Sequence, residues 1–452
     1  MSNTTQDMSA APPVVSEQQM TPESRRAVWG AFIGFFVDNY DIFLPVIALA
    51  PAIHFFLPDT LDPMVAMIAA SMIFATTLIG RPLGALIFGH FADTIGRKKV
   101  TIFSVFGFGI VTLLIAALPG YQHWGEWAIW LFIFLRLIDG ILLGGQYTGA
   151  TPLAMEYCPK QKRGLYGAVI QSAASWGTAA IALMTLAVLT VVPGGDLHSP
   201  YVQWGWRIPF LIGAAMAFGL GIYYMCSVSE SEVWSQSGEA EKKESPLKAL
   251  FRGNNLRSFL QVFVFMSGFW LLLNASLVVM PGLLAGEMGV HGTHLTLALV
   301  ISYIVLAVFY ILGGALSQRI GRRNFLMGAA VISGVLGTYF YYLLLNSSAS
   351  SLPTIVTLAT ITTTLVVLPG ALSAVYINER FHTGVRASGF GLGYSLAIIL
   401  PAFYGFYQAG LSYFMPAKYT VLALVVVGAL LVLVGAAWGP ETKDVDFGTD
   451  KG

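Results

Sequence analysis

Five ionisable residues fall inside stretches otherwise apolar enough for a lipid bilayer: Asp38, Asp41, Arg81, Arg136 and Asp139. A charge at mid-bilayer costs about 2.5–3.5 kcal/mol on insertion scales, so such residues pair, face a polar cavity, or handle protons and ligands. Asp38 and Asp41 are i, i+3 neighbours, as are Arg136 and Asp139, which puts each pair on one helix face. Three acids against two arginines leave one acid without a basic partner. A desolvated, incompletely paired carboxylate suits proton carrying. Guanidinium forks suit carboxylates because two parallel hydrogen bonds can form, so Arg81 and Arg136 favour a small organic anion. The competing reading is that these groups only neutralise one another and lock their helices together.

The elements that position them follow from composition. The chain has 452 residues, 56% hydrophobic and 10% charged, which excludes an ordinary soluble protein. A span needs about 20 apolar residues to cross roughly 30 Å of hydrocarbon. Twelve such blocks occur, at 28–53, 64–88, 100–118, 127–154, 165–192, 206–226, 257–281, 293–316, 325–346, 353–377, 387–413 and 418–438. In lipid only helices this apolar satisfy every backbone group, so an all-α membrane protein of twelve transmembrane helices is expected. Arg81 then sits about 18 Å from Asp93 along its helix, near the midplane.

Twenty of the 24 Lys and Arg residues fall on one side if the N-terminus is inside. That predicts both termini in the cytosol of a multi-pass protein of the plasma (inner) membrane. Residues 1–24 read as a disordered cytosolic tail without a signal peptide. Residues 25–226 read as an N-terminal six-helix bundle, 227–256 as a cytosolic linker, 257–438 as a second bundle and 439–452 as a cytosolic tail. Cys158 and Cys226 are expected reduced, with no metal and no cofactor beyond a proton as coupling ion. The expected partners are a small, anionic molecule and the bilayer, with no nucleic acid, and a monomer.

The halves repeat each other. Gly89-His-Phe-Ala-Asp93-Thr-Ile-Gly96-Arg97-Lys98-Lys99 returns as Ala315-Leu-Ser-Gln318-Arg-Ile-Gly321-Arg322-Arg323. Glu156 precedes Arg163 by seven residues, as Glu379 precedes Arg386. Two signatures at equivalent places indicate an internal duplication. The first loop resembles the G-x-x-x-D-x-x-G-R-[KR]-[KR] signature of the major facilitator superfamily. Arg136-Leu-Ile-Asp-Gly140 through Glu156 and Arg163 is similar to the fourth-helix pattern of its sugar porters and metabolite:proton symporters. Gly80-Arg81-Pro82-Leu83-Gly84, Trp206-Arg207-Ile208-Pro209-Phe210 and Pro440-Glu441-Thr442 resemble the symporter branch. Two positions depart from that branch: Asp139 stands where Gln is usual and Gln146 where Glu is frequent, which leaves the proton route open.

The resemblance implies roles. Asn39-Tyr40-Asp41 stands where sugar porters show Gly-Tyr-Asp, and there the acid partners the arginine corresponding to Arg136. Asp41 is therefore the first expected proton carrier, with Asp38 and Asp139 behind it. Gln171, eight residues after Arg163, stands at a sugar-binding position. Trp270, Asn274, Tyr394, Tyr404 and Gln408 are further polar or aromatic positions able to shape a pocket, or simply to pack. Asp93, Arg97, Glu156, Arg163, Arg322, Glu379 and Arg386 read as a cytosolic gate, with Asp93 and Arg97 pairing with the Glu156/Arg163 region when that mouth is shut. Gly391 and Gly393 lie within a span and form no nucleotide loop; no Walker sequence or zinc site occurs. The expected activity is proton-coupled import of an organic acid, not catalysis. The alternatives are an uncoupled facilitator or exchanger of a sugar-like or zwitterionic solute, a drug:proton antiporter, or a non-transporting sensor.

Overall fold

The computed structural model describes residues 20–58, 63–230, 246–290, 292–347 and 351–447. Most of the expected N-terminal tail and the middle of the expected linker lie outside the described residues. Among the described residues all regular structure is helical. Eleven helices are long and apolar enough to cross a membrane: α1 (Pro22–Ala48), α3 (Arg97–Ala116), α4 (Glu126–Tyr157), α5 (Lys160–Val191), α6 (Tyr201–Ser227), α7 (Gly253–Gly286), α8 (Thr293–Ile320), α9 (Arg322–Leu345), α10 (Leu352–Glu379), α11 (Thr383–Leu411) and α12 (Ala417–Trp438). With α2 (Pro63–Ile95, 33 residues) the twelve expected helices are all present.

Helix starts follow local chemistry more than hydropathy. α1 begins inside the segment expected as tail, because Thr21 caps it through its hydroxyl and Pro22 takes the first turn. Ser24 then donates to the Tyr157 carbonyl (2.6 Å), pinning this end to α4. α7 starts at Gly253, ahead of its apolar block. At the two repeated loops Gly96 (φ 112°) and Gly321 (φ 95°) adopt the left-handed region, which lets α2 turn straight into α3 and α8 into α9. A carboxylate from the end of each half caps the new helix. Glu230 accepts from the Arg97 and Lys98 amides (both 3.1 Å), and Glu441 from those of Arg322 (2.7 Å) and Arg323 (3.1 Å).

Within the N-terminal half α2 packs on α4, α4 on α3, α1 on α5 and α3 on α6; in the other half α7 packs on α12 and α8 on α10. The halves meet where α5 crosses α8 and α2 crosses α11. The α2–α4 contact is backbone on backbone. A methyl at Gly80 would stand 2.6 Å from the Leu137 carbonyl, and one at Gly84 would overlap the Ile141 carbonyl. Such small-residue stripes substitute for the hydrophobic effect that lipid cannot supply.

Gly84→Ala is accordingly expected to destabilise the detergent-solubilised protein by about 1–3 kcal/mol of overpacking. Gly219→Ala, where a methyl meets open space, leaves the melting midpoint unchanged. Equal melting of both variants would show that α2 and α4 do not depend on this approach.

Candidate functional site

Between the halves lies a narrow cavity of about 40 Å³. Its wall includes Asn39 of α1, Arg81 of α2, Gln171 of α5, Trp270 and Asn274 of α7, and Tyr394 of α11. Three helices lose regular geometry here. α1 takes a wide π turn at Leu44–Ala48, α7 another at Asn274–Val278, and α11 tightens at Leu396–Ile398. Irregular backbone at membrane depth is tolerated only where protein or a cavity meets the freed groups. Asn274 does this directly, its Nδ2 donating to the Pro401 carbonyl (3.0 Å), and Trp270 Nε1 donates to the Tyr394 carbonyl (2.7 Å).

Tyr394 is the hub of the cavity floor. Its ring lies 5.1 Å from Trp270, 5.3 Å from Tyr147, 5.8 Å from Phe390 and 6.2 Å from Phe35, joining both halves. Gln171 sits against its hydroxyl. Arg81 gives Nη2 to Asp38 (2.9 Å) and lays its guanidinium over the Tyr147 ring (4.7 Å), so its charge is fixed at the cavity wall.

Arg136 does not reach the cavity. It is fully buried among α1, α3 and α4, and one nitrogen, Nη1, holds two acids: Asp41 Oδ2 (2.9 Å) and Asp139 Oδ2 (2.8 Å). Nη2 donates to the Asp41 carbonyl (3.0 Å), and Thr112 Oγ1 donates to Asp41 Oδ1 (2.8 Å). The expectation of one acid without a basic partner is thus corrected, because a guanidinium can serve two carboxylates. The charge excess it rested on persists: with every group ionised, Arg136 faces two negative charges. Arg136, expected among the ligand-binding residues, does not line this cavity. Tyr404 and Gln408 also miss the cavity. They follow a break in α11 at Phe403, and Gln408 Nε2 donates to Thr420 of α12 (3.3 Å).

The end of the bundle that carries the basic loops and both described chain ends is shut. Asp93 does not meet Glu156 or Arg163 as expected. It caps the start of α11, accepting from the Ala387 amide (3.1 Å), the Ser388 amide (2.9 Å) and the Ser388 hydroxyl (2.8 Å), with Arg97 3.6 Å away. Glu156 bridges Arg97 of its own half and Arg386 of the other. Arg97 also donates to the Thr383 carbonyl (3.1 Å). In the second half Arg322 pairs with Glu379 (3.3 Å) and takes Gln318 (2.9 Å), so this pair braces one half rather than bridging two. Gln318 instead reaches across, accepting from the Gly164 amide (3.1 Å). Above the cavity, no hydrogen bond joins the halves among the described residues.

A wedge that sequence reasoning missed completes the closure. Phe447, 3% exposed, lies in the segment expected as a cytosolic tail. Arg163 stacks over its ring at 3.6 Å and Arg386 at 3.8 Å, one from each half. Arg163 Nη1 donates to the Val445 carbonyl (2.8 Å). The available signal was a pair of apolar residues, Val445 and Phe447, inside a polar tail. The capping acids Glu230 and Glu441 were missed as a pair because they stand at unequal distances from their loops.

The closure is testable through Cys158, buried beside it, whose thiol burial pushes up to about 12. In a Cys226→Ser background, maleimide should label Cys158 slowly. Phe447→Ala or Glu156→Gln should raise that rate severalfold. Rates that do not change would exclude these contacts as what holds this end shut.

Known proteins agree with the geometry. The family model for sugar (and other) transporters matches residues 27–245 and 235–449. The Escherichia coli K12 shikimate transporter is 29% identical over 428 residues, covering 90% of this chain and 92% of that protein. The proline/betaine transporter of the same organism is 26% identical over 416 residues, covering 89% and 81%. Among solved structures, the proton:xylose symporter XylE of E. coli, bound to 6-bromo-6-deoxy-D-glucose, superposes with a TM-score of 0.72 at 15% identity, covering 93% of this chain and all of that one. With six and six helices, the duplicated basic loops and a cavity between the halves, the chain belongs to the sugar (and other) transporter family of the major facilitator superfamily.

Proposed function

We propose that this membrane transporter is a proton-coupled symporter that imports a small carboxylate-bearing metabolite, with its basic end in the cytosol. The observation that carries the reading is the division of labour between the two buried arginines. Arg81 stands at the cavity wall as a fixed cation, where a bidentate carboxylate fits. Arg136 is withdrawn and holds Asp41 and Asp139 together. One proton on that acid pair cancels its excess charge, and an uncompensated charge in the bundle costs several kcal/mol. Proton loading therefore sets the charge of the half that must move, while Arg81 sets that of the loaded cavity. Shikimate, proline and betaine, named for two relatives, all bear a carboxylate.

A second reading has its own support. Trp270 and Tyr394 present aromatic faces beside Arg81, and such faces attract quaternary ammonium groups. That arrangement suits a zwitterion moved by facilitation or exchange.

Uptake into proteoliposomes separates the two. Under an imposed pH gradient of one unit, a monocarboxylate taken up with one proton should accumulate up to about tenfold, and a protonophore should abolish accumulation. Asp41→Asn should keep counterflow but lose accumulation. Arg81→Lys, which loses the fork, should raise KM severalfold for acids. Protonophore-insensitive uptake of betaine, with no acid transported, would overturn the symport reading in favour of the second.

A further inference from the structure

A second polar cavity, of about 610 Å³, opens at the basic end of the C-terminal half, between the start of α7, the α10–α11 connection and the end of α12. Three guanidinium groups line it: Arg257 of α7, Arg323 of α9 and Arg380 after α10. None of them has a carboxylate partner among the described residues. Arg380 spends Nε on Gln261 (2.9 Å) and Nη2 on Ser258 (2.8 Å), both neutral. Arg323 gives Nη2 to the Ala437 carbonyl (2.9 Å), and its Nε is buried without a partner. Arg257 is exposed and makes no hydrogen bond or ion pair among the described residues. Glu441, at the end of the same half, spends its carboxylate on the Arg322, Arg323, Thr442 and Lys443 amides.

Like charges gathered without an acid repel one another. Burial depresses the Arg380 guanidinium, and the charge of Arg257 adds to the effect. The first turn of α7 contributes Asn254 and Asn255 to the wall and turns its positive dipole end toward the same space. Trp438, 43% exposed, sits at the rim, as tryptophans do at headgroup depth.

We propose that this cavity binds a phosphate-bearing anion, held by Arg257, Arg323 and Arg380. Arginine forks match phosphate oxygens in pairs, and basic pockets between transmembrane helices on the cytoplasmic side take anionic lipid headgroups. The phosphate can come from an anionic phospholipid or from a soluble phosphate compound. Site and central cavity share no lining residue, so its fate and that of the symport reading are independent.

The test uses the purified full-length protein. In one arm it is incubated with equal amounts of phosphatidylglycerol and phosphatidylcholine, and retained lipid is read by native mass spectrometry. In the other, its melting midpoint is followed with inorganic phosphate against chloride of matched ionic strength. The variants are Arg257→Gln, which removes a side chain with no hydrogen bond or ion pair among the described residues, and Arg257→Gln with Arg323→Gln. Preferential retention of phosphatidylglycerol, falling roughly fivefold per arginine removed, supports the site with lipid as its source. A phosphate-specific rise in melting, lost in the double variant, supports it with a soluble source. Equal retention of both lipids with no phosphate-specific shift, or a preference undiminished in the double variant, overturns it.

Discussion

Arg136 holds Asp41 and Asp139 on one nitrogen, out of contact with water, and much of the N-terminal half is arranged around that contact. Removing one member of a buried ion pair costs about 3–5 kcal/mol, because its partner is left charged and alone. The group therefore has to be enclosed completely. Thr112 of α3 and the Asp41 carbonyl supply two further hydrogen bonds, while Arg136 Nε and Asp139 Oδ1 are buried without a partner among the described residues. The glycine contact between α2 and α4 draws α2 close, so that Arg81 and Asp38 pair beside the triad but on the cavity side. Asn39, Tyr40 and Asp41 show how tightly the space is divided. Asn39 lines the cavity, Tyr40 donates to the Pro209 carbonyl of α6 (3.2 Å), and Asp41 turns to α4.

The two halves share their ends and differ in their middles. At each end a left-handed glycine, an arginine, a buried glutamate and a capping glutamate recur: Gly96, Arg97, Glu156 and Glu230, then Gly321, Arg322, Glu379 and Glu441. Among the exchanges in the loop, Gln318 for Asp93 changes what that end can do. Asp93, ionised, faces three donors at the start of α11, a helix N-terminus that favours an anion. Gln318 both accepts from Gly164 and donates to the Lys160 carbonyl (3.3 Å) across the α5–α8 crossing. One crossing is thus sealed by charge against a helix dipole, and the other by neutral hydrogen bonds.

The architecture was legible because the bilayer imposes it: apolar length set the helices and basic residues marked one end. The five buried charges were legible for the same reason, since nothing else justifies their cost. Their pairing was not. Sequence distance could not say that Arg136 would take two acids or that α4 would turn it from the cavity, because both depend on how α1, α3 and α4 rotate about their axes. Tyr404 and Gln408 lay on an apparently continuous eleventh span, and the break at Phe403 that redirects them carries no proline of its own; Pro401 stands just before it. Phe447 was hidden by its polar neighbours, its burial coming from two arginines more than two hundred residues apart in partner choice.

The contacts within a half and those between halves are of different kinds, and this bears on how the molecule can move. Inside the N-terminal half, α2 and α4 meet backbone to backbone, a contact with no slack. Between the halves at the basic end lie a capped helix terminus, a glutamate shared by Arg97 and Arg386, and the ring of Phe447 under two guanidinium groups. These polar partners have alternatives in water or in their own half: Glu156 already holds Arg97 of its own half beside Arg386 of the other. The cost of parting is therefore spread over exchangeable charge-assisted contacts, while the buried triad and its glycine seam stay whole. Such a division lets a half swing as a body without exposing the charges at its centre, which is what alternating access between two discrete states requires.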